Sequence, residues 1–440
     1  MKTGEGPGLL VYLLAGIGLL LLSACHPGAA EFSASAWQPD SGFGNSGFTS
    51  PDLGAGIGTS EYLNGIAGDT QDRILITGSR SVTGGYVMYT ARLRHDGELD
   101  TSFADNGVYL EAVFSIGRDI RVLDDGSILV GGERDNGGDY DAALWRFNSD
   151  GTLDNSFGTN GTSSLDIGGN DERSKAMVPD ETANIILAGS TADGSQIDLA
   201  VWRVSAGGDP DTAFNDPEGF VTDNSAAGGD GEDISFAVST DSSGRIVAAG
   251  RSWNGTDSDI AVWRYLPDGQ PDSSFDGDGV AVYDAGNFDE IFALTVDSQN
   301  RITAGGFGVP SSRGYDLYLL RYLPDGTPDA DFGSNGFVLY DHADENDGIY
   351  DLIPFSGGRI LASGFITGID DVQKMALFLF DEWGNMTDSF GENGIISASR
   401  GTKATGNTVG IDSAGRIIVG GDFSEAGGNR DIGVWRYSIN

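Results

Sequence analysis

The chain carries three histidines, His26, His95 and His342, spread over an N-terminal segment, a turn and a loop. A serine-histidine-aspartate triad or a histidine-based metal site needs closer grouping, so neither is supported. No glycine-rich phosphate loop and no nucleophile elbow occurs. The 66 aspartates and glutamates are too many for one catalytic pair to stand out. Asp276-Gly277-Asp278-Gly279 opens like a calcium loop but lacks the third acidic ligand and the closing glutamate. The expectation is therefore no catalytic residue, no metal and no cofactor, with calcium-stabilised structure kept as an alternative.

One spacing does repeat. An arginine is followed eight positions later by an aspartate in Arg92 and Asp100, Arg146 and Asp154, Arg203 and Asp211, Arg264 and Asp272, and Arg321 and Asp329. In one copy both partners change together, to Leu379 and Thr387. Arg436 has no chain after it to supply the acid, and Asp40 offers the matching group. A guanidinium and a carboxylate at fixed spacing suit a charge-assisted hydrogen bond, so these residues are expected as structural ion pairs that pin a loop. A phenylalanine follows each time, at Phe103, Phe157, Phe214, Phe275, Phe332 and Phe390, with a further copy at Phe43; it is expected to anchor that loop. Trp145, Trp202, Trp263 and Trp435 share one position and are expected to pack.

The elements that hold these residues recur at intervals of 54 to 61 residues, the sign of a repeat architecture. In the unit that begins at Gly279, Ile291–Val296 is apolar on both faces, as a strand buried on both sides would be. Arg301–Gly306 follows after a tight turn, then Asp316–Tyr322, whose side chains alternate, and then Gly336–Tyr340. Four short antiparallel strands per unit and no helical period predict an all-β fold, a seven-bladed β-propeller over 37–440. The first element, Asp40–Phe48, reads as the loop and beginning of a fourth strand and the last, Asp431–Tyr437, as a third; pairing them would close the ring and remove its free edges.

Turns between first and second strands, and between third and fourth, repeat closely. The other two loop sets vary and fall on one face. Variable loops on a rigid scaffold are where binding concentrates, and Asp171, Asp230, Trp253, Asp289 and Asp347 are the candidate binding residues there.

Leu9 to Leu22 is a short apolar run that ends in Leu22-Ser23-Ala24-Cys25. That is the pattern of a lipoprotein signal peptide over 1–24, with Cys25 as the lipidated residue and 25–36 as a tether. Cys25 is the single cysteine, so no intramolecular disulfide forms. The expected location is extracytoplasmic, on a bacterial membrane; His26 rather than aspartate after Cys25 points to the outer one. With 25 Lys and Arg against 66 acids, the net charge of -41 argues against nucleic acid and anionic lipid surfaces as partners.

The pattern Trp-Arg-Tyr, Pro-Asp-Gly, Asp-x-Ser-Phe-Gly, Asn-Gly, then Val-Asp-Ser-x-Gly-Arg-Ile and Ala-Gly-Gly resembles the delta-60 repeat family of bacterial secreted proteins, especially myxobacterial ones. The resemblance covers nearly all of 37–440 and implies a propeller-type repeat with no settled enzymatic activity. The expected function is a lipid-anchored binding or scaffolding module, a monomer with a protein or polysaccharide partner. The alternative is a carbohydrate-active or other hydrolytic propeller that uses acidic loop residues.

Overall fold

A computed structural model describes residues 37–54, 59–194, 196–310, 314–342, 345–426 and 428–439; the segments expected as signal peptide and tether, with Cys25, lie outside the described residues. Strand is the only regular structure among the described residues. The reason is local: β-branched and aromatic runs of about eight residues alternate with Asp, Asn and Gly turns. Five sheets have four antiparallel strands each, with chain neighbours as sheet neighbours. The first comprises Glu61–Gly68, Ile74–Val82, Gly85–Leu93 and Val108–Leu110; the second Ser115–Val122, Ile128–Asp135, Tyr140–Phe147 and Thr162–Leu165. The third is Asp171–Pro179, Ile185–Ala192, Ile197–Val204 and Phe220–Asp223; the fourth Asp233–Thr240, Ile246–Trp253, Ser258–Tyr265 and Val280–Tyr283. The fifth is Asp289–Val296, Ile302–Gly308, Asp316–Tyr322 and Phe337–Tyr340.

The remaining strands form one ten-stranded sheet, where two separate blades are expected from the repeat. One half is Asp347–Phe355, Arg359–Thr367, Gln373–Phe380 and Ile395–Ala398; the other contains Thr408–Ile411, Ile417–Ser424 and Arg430–Ile439. The loop between the halves runs extended at Lys403–Ala404, parallel to Gln373 on one side and antiparallel to Phe423 and Ser424 on the other. Its backbone groups bridge the gap and merge the two units. The N-terminal segment, expected as one strand, is two short ones. Trp37–Pro39 and Phe48–Thr49 both pair antiparallel with Arg430–Ile439, Trp37 opposite Ile439 and Phe48 opposite Trp435.

Apolar side chains fill the space between successive sheets. Leu75 and Met88 of the first meet Ile120 and Val130 of the second, and Val247 and Val262 of the fourth meet Ile291 and Ile302 of the fifth. Leu63 and Ile66 of the first sheet pack in turn on Ile418, Ile432 and Val434 of the last.

The arginine repeat ties these sheets together. Arg264 Nε donates to Asp272 at 2.8 Å within its own sheet, and its Nη1 reaches the Pro324 carbonyl of the next at 2.5 Å. Its guanidinium lies 4.6 Å from the Phe275 ring centroid, a cation–π contact. Arg321 repeats the set with Asp329 at 2.8 Å, the Glu382 carbonyl at 2.6 Å and Phe332 at 4.2 Å. Gly326 explains its own identity: at φ +89° it packs on the Asp276 amide, where a Cβ would collide.

Candidate functional site

The first strand of each separate sheet, and of the sixth four-stranded unit, carries a β-bulge near its beginning. Register slips between Leu63 and Gly65, Gly117 and Asp119, Ser174 and Ala176, Ser235 and Ala237, Ile291 and Ala293, and Ile349 and Asp351. The extra residues are Asn64, Arg118, Lys175, Phe236, Phe292 and Tyr350. Asn407 takes the corresponding place in the last unit: its amide bonds the Leu63 carbonyl at 2.9 Å, as Asn64 bonds the Gly117 carbonyl at 2.7 Å. A bulge re-aims one side chain out of the ladder, and all seven are half-buried. They lie at the strand ends that join the variable loops. They make a set of unlike residues, here called the bulge ring, one to each unit on a scaffold of like units.

One side of this ring is polar. Glu133, fully buried, meets Arg118 Nη2 at 2.6 Å, Lys175 Nζ at 3.6 Å and Arg173 at 3.7 Å. Burial alone would raise the Glu133 carboxyl; the charges of Arg118 and Lys175 outweigh it and hold it below its usual value. Lys175 is pushed down to about 8 by burial and by Arg118. Arg173 also meets Asp171 at 3.6 Å, so three cations face two acids and leave a small local excess of positive charge in a strongly acidic chain. Asp422, beside Asn407, is pushed up to about 6 by burial, against hydrogen bonds from the Leu63 amide and Asn407.

The other side is aromatic. Phe236 and Phe292 stand 5.1 Å apart, Phe292 and Tyr350 5.4 Å, and Phe292 stacks on Phe307 at 4.9 Å. Phe365 and the exposed Tyr315 extend the wall, 5.4 Å from Tyr350 and 5.1 Å from Phe307. Arg251 marks one border: it pairs with Glu290, bonds Glu232 at 2.6 Å, and lies over Phe236 at 5.7 Å. Such a mouth offers flat apolar faces to one part of a ligand and guanidinium and ammonium donors to another.

The structure brings all six expected ion pairs within contact: Arg92 and Asp100 at 2.8 Å, Arg146 and Asp154 at 3.3 Å, Arg203 and Asp211 at 2.7 Å, Arg264 and Asp272 at 2.8 Å, Arg321 and Asp329 at 2.8 Å, and Arg436 and Asp40 at 2.8 Å. In the odd unit Leu379 is buried in an apolar cluster, yet the Thr387 amide still bonds its carbonyl at 2.8 Å. The recurring tryptophans are buried, and Trp145 donates to Glu111 at 2.8 Å.

The five candidate binding residues fare differently. Asp230 is exposed. Asp289 and Asp347 are fully buried, because each carboxylate caps its own loop, accepting from the Ala285 amide at 2.8 Å and the His342 amide at 2.5 Å. Asp171 is half-buried and accepts from the Tyr140 amide at 2.9 Å; the residue in register with Asp289 is its neighbour Glu172, two positions ahead of the bulge. Trp253 ends a strand rather than sitting in a loop, paired with Ser258, and its ring covers Gly231. None of the five belongs to the bulge ring. A cavity of about 550 Å³, lined by Tyr109, Glu111, Arg134 and Ser163 among others, opens beside the outermost strands and includes none of the bulge residues.

Five segments, 72–103, 123–157, 242–275, 300–332 and 415–438, match the family described as a domain of unknown function (DUF5122) β-propeller. The fold is a β-propeller. Among solved structures, a protein of unknown function from Dyadobacter fermentans is 12% identical, covering 92% of this chain and 98% of its own, with a TM-score of 0.45. Sqt1 from Chaetomium thermophilum is 12% identical over 89% of this chain and 97% of its own, at 0.47. The polysaccharide lyase Uly1 is 10% identical over 86% and 89%, also at 0.47. No curated protein matches by sequence.

Proposed function

We propose that this propeller is a lipid-anchored, extracytoplasmic binding module that takes an acidic polysaccharide at the bulge ring. The observation that carries the reading is the division of that ring into an aromatic side, Phe236, Phe292 and Tyr350, and a cationic side, Arg118 and Lys175. Sugar rings present flat apolar faces to aromatics, and uronate or sulfate groups suit guanidinium and ammonium donors. The lipid anchor rests on the Leu22-Ser23-Ala24-Cys25 signal.

The same reading takes the ring as seven blades closed by the N-terminal segment. In its support, Trp37–Pro39 and Phe48–Thr49 hydrogen-bond to Arg430–Ile439, and Asn407 and Asp422 bond the Leu63 backbone of the first sheet. Closure would leave the mouth as a rigid, preformed surface.

A hydrolytic reading has one observation in its favour. Asp422 and Glu290, both raised mainly by burial, each act electrostatically on Tyr350, and glycoside hydrolysis uses a pair of carboxyls. Calorimetric titration of the full chain with uronate-bearing, sulfated and neutral polysaccharides separates the readings. Binding to the acidic polymers, weakened by salt and weakened further in Phe292→Ala, supports the module. Release of new reducing ends, abolished in Asp422→Asn, supports the hydrolase, and no binding to any polymer refutes both.

A further inference from the structure

We propose that the junctions between the second and third sheets and between the fourth and fifth are divalent-cation sites suited to calcium, the first built from Asp141, Asp166 and Glu172 and the second from Asp259, Asp284 and Asp289. This does not rest on the polysaccharide reading. In each group the carboxylate oxygens lie within 4.8 Å of one another. A calcium ion with oxygen ligands at about 2.3–2.6 Å spans that separation, and hard carboxylates are its usual ligands.

The second observation is the state of the innermost acids. Glu172 and Asp289 are fully buried; Thr191 and the Ala285 amide each hold one oxygen, while Glu172 Oε2 and Asp289 Oδ1 make no well-formed hydrogen bond, with only the Ile167 amide and the Tyr318 hydroxyl facing the two carboxylates. A buried carboxylate oxygen without a donor is costly unless something positive meets it. The two groups also share one construction. Asp141 and Asp259 stand five residues before the third-strand arginines Arg146 and Arg264. Asp166 and Asp284 follow the fourth strand, and Glu172 and Asp289 begin the first strand of the next sheet. Asn136 and Asn254 hold the first of these acids, at 2.7 and 2.8 Å.

The other junctions argue that the three positions act as a set. Between the last unit and the first sheet they are Asp431, Asp52 and Glu61, and between the fifth and sixth Asp316, Asp341 and Asp347. Between the first and second sheets all three acids are missing, at Val87, Ala112 and Ser115, and between the sixth and last units again, at Lys374, Ser399 and Ala404. The third-to-fourth junction has Asp198, Asn224 and Asp233. Acidity serving solubility alone would scatter; here four junctions carry all three acids, two carry none and one carries two.

The test uses the full chain, freed of metal with chelator and then titrated with calcium chloride, and separately with terbium, which Tyr140 and Tyr283 beside the two sites would sensitise. A melting transition that climbs with calcium and returns with chelator, with saturable terbium emission, is expected. Glu172→Gln and Asp289→Asn should each remove roughly half the emission and part of the calcium response. In chelator both variants should melt no lower than the parent, because each removes a buried uncompensated charge. A transition indifferent to millimolar calcium, or terbium emission unchanged in the double variant, overturns the proposal.

Discussion

Asp40 and Arg436 stand 396 positions apart in the chain and meet at 2.8 Å, the same geometry that joins Arg264 to Asp272 eight positions apart. The long-range pair reproduces the local one because the Asp40 amide also bonds the Arg436 carbonyl at 2.9 Å, as the Asp272 amide bonds the Arg264 carbonyl at 2.9 Å. Phe43 completes the set, with its ring 4.4 Å from the Arg436 guanidinium.

Removing one partner should therefore cost more than a surface ion pair would. The Arg436 side chain is only 2% exposed, and Asp40→Ala leaves it uncompensated, a loss of about 3–5 kcal/mol. Arg94→Ala, whose pair with Asp96 is exposed on both sides, should cost under about 1 kcal/mol. Urea unfolding of the two variants checks the contrast; equal losses would show that the N-terminal segment contributes little.

The acid limb of stability should follow the same pairs. Burial favours the neutral form of Asp40, Asp100 and Asp272, but hydrogen bonds from Gly42, Ser102 and Ser274 and the paired arginines outweigh it, leaving each below its ordinary value. A carboxyl lowered in the folded state stabilises above its unfolded pKa, and that contribution is lost as pH falls through the folded value. Asp351 works the other way: burial pushes it up to about 6, against the Val409 amide, so its contribution is full near pH 4 and lost as pH rises through 6. Melting temperature should fall steeply below about pH 4. Asp100→Asn should flatten that limb.

The odd unit gives a cleaner test of what the ion pair does. Leu379 and Thr387 keep the backbone bond without the charges, and Trp37 lies 6.2 Å from Phe390 on that side. Leu379→Arg alone should destabilise by roughly 3 kcal/mol, as a buried cation without its acid. Adding Thr387→Asp should recover about 1–3 kcal/mol of coupling in a double-mutant cycle. Additive losses would mean that Trp37 has taken the space the pair needs.

These pairs were legible because the same residue types recur at the same spacing, so Arg264 and Asp272 could be read against Arg321 and Asp329 without any fold. The bulge ring was not. A bulge is a backbone event, and its residues Asn64, Arg118, Lys175, Phe236, Phe292 and Tyr350 share no chemistry by which a sequence pattern would group them. Asp171 was off by one for the same reason: loop length varies ahead of the first strand, and only the ladder register shows that Glu172 matches Asp289. The junction acids come from two strands of neighbouring sheets and the loop between them; Asp141 and Asp259 share a spacing from Arg146 and Arg264, but across a loop of varying length nothing in the sequence joins them to Glu172 and Asp289. Lys403–Ala404, which merges the last two units, depends on parallel pairing with Gln373, a contact between segments that carry no repeat motif.

If the mouth takes an acidic polymer, Lys175 should set the pH dependence of binding. Burial and the neighbouring Arg118 lower its ammonium to about 8, so it is mostly charged at pH 7 and mostly neutral at pH 9. Affinity for a uronate polymer should fall between those two pH values. Lys175→Arg should abolish the fall, and Lys175→Ala should lower affinity at pH 7 while also removing the pH dependence. Phe292→Ala should weaken binding equally at both pH values, because the aromatic side carries no titrating charge there. A parent profile that stays flat from pH 7 to 9 would take Lys175 out of the ligand's reach and leave the aromatic wall to account for binding alone.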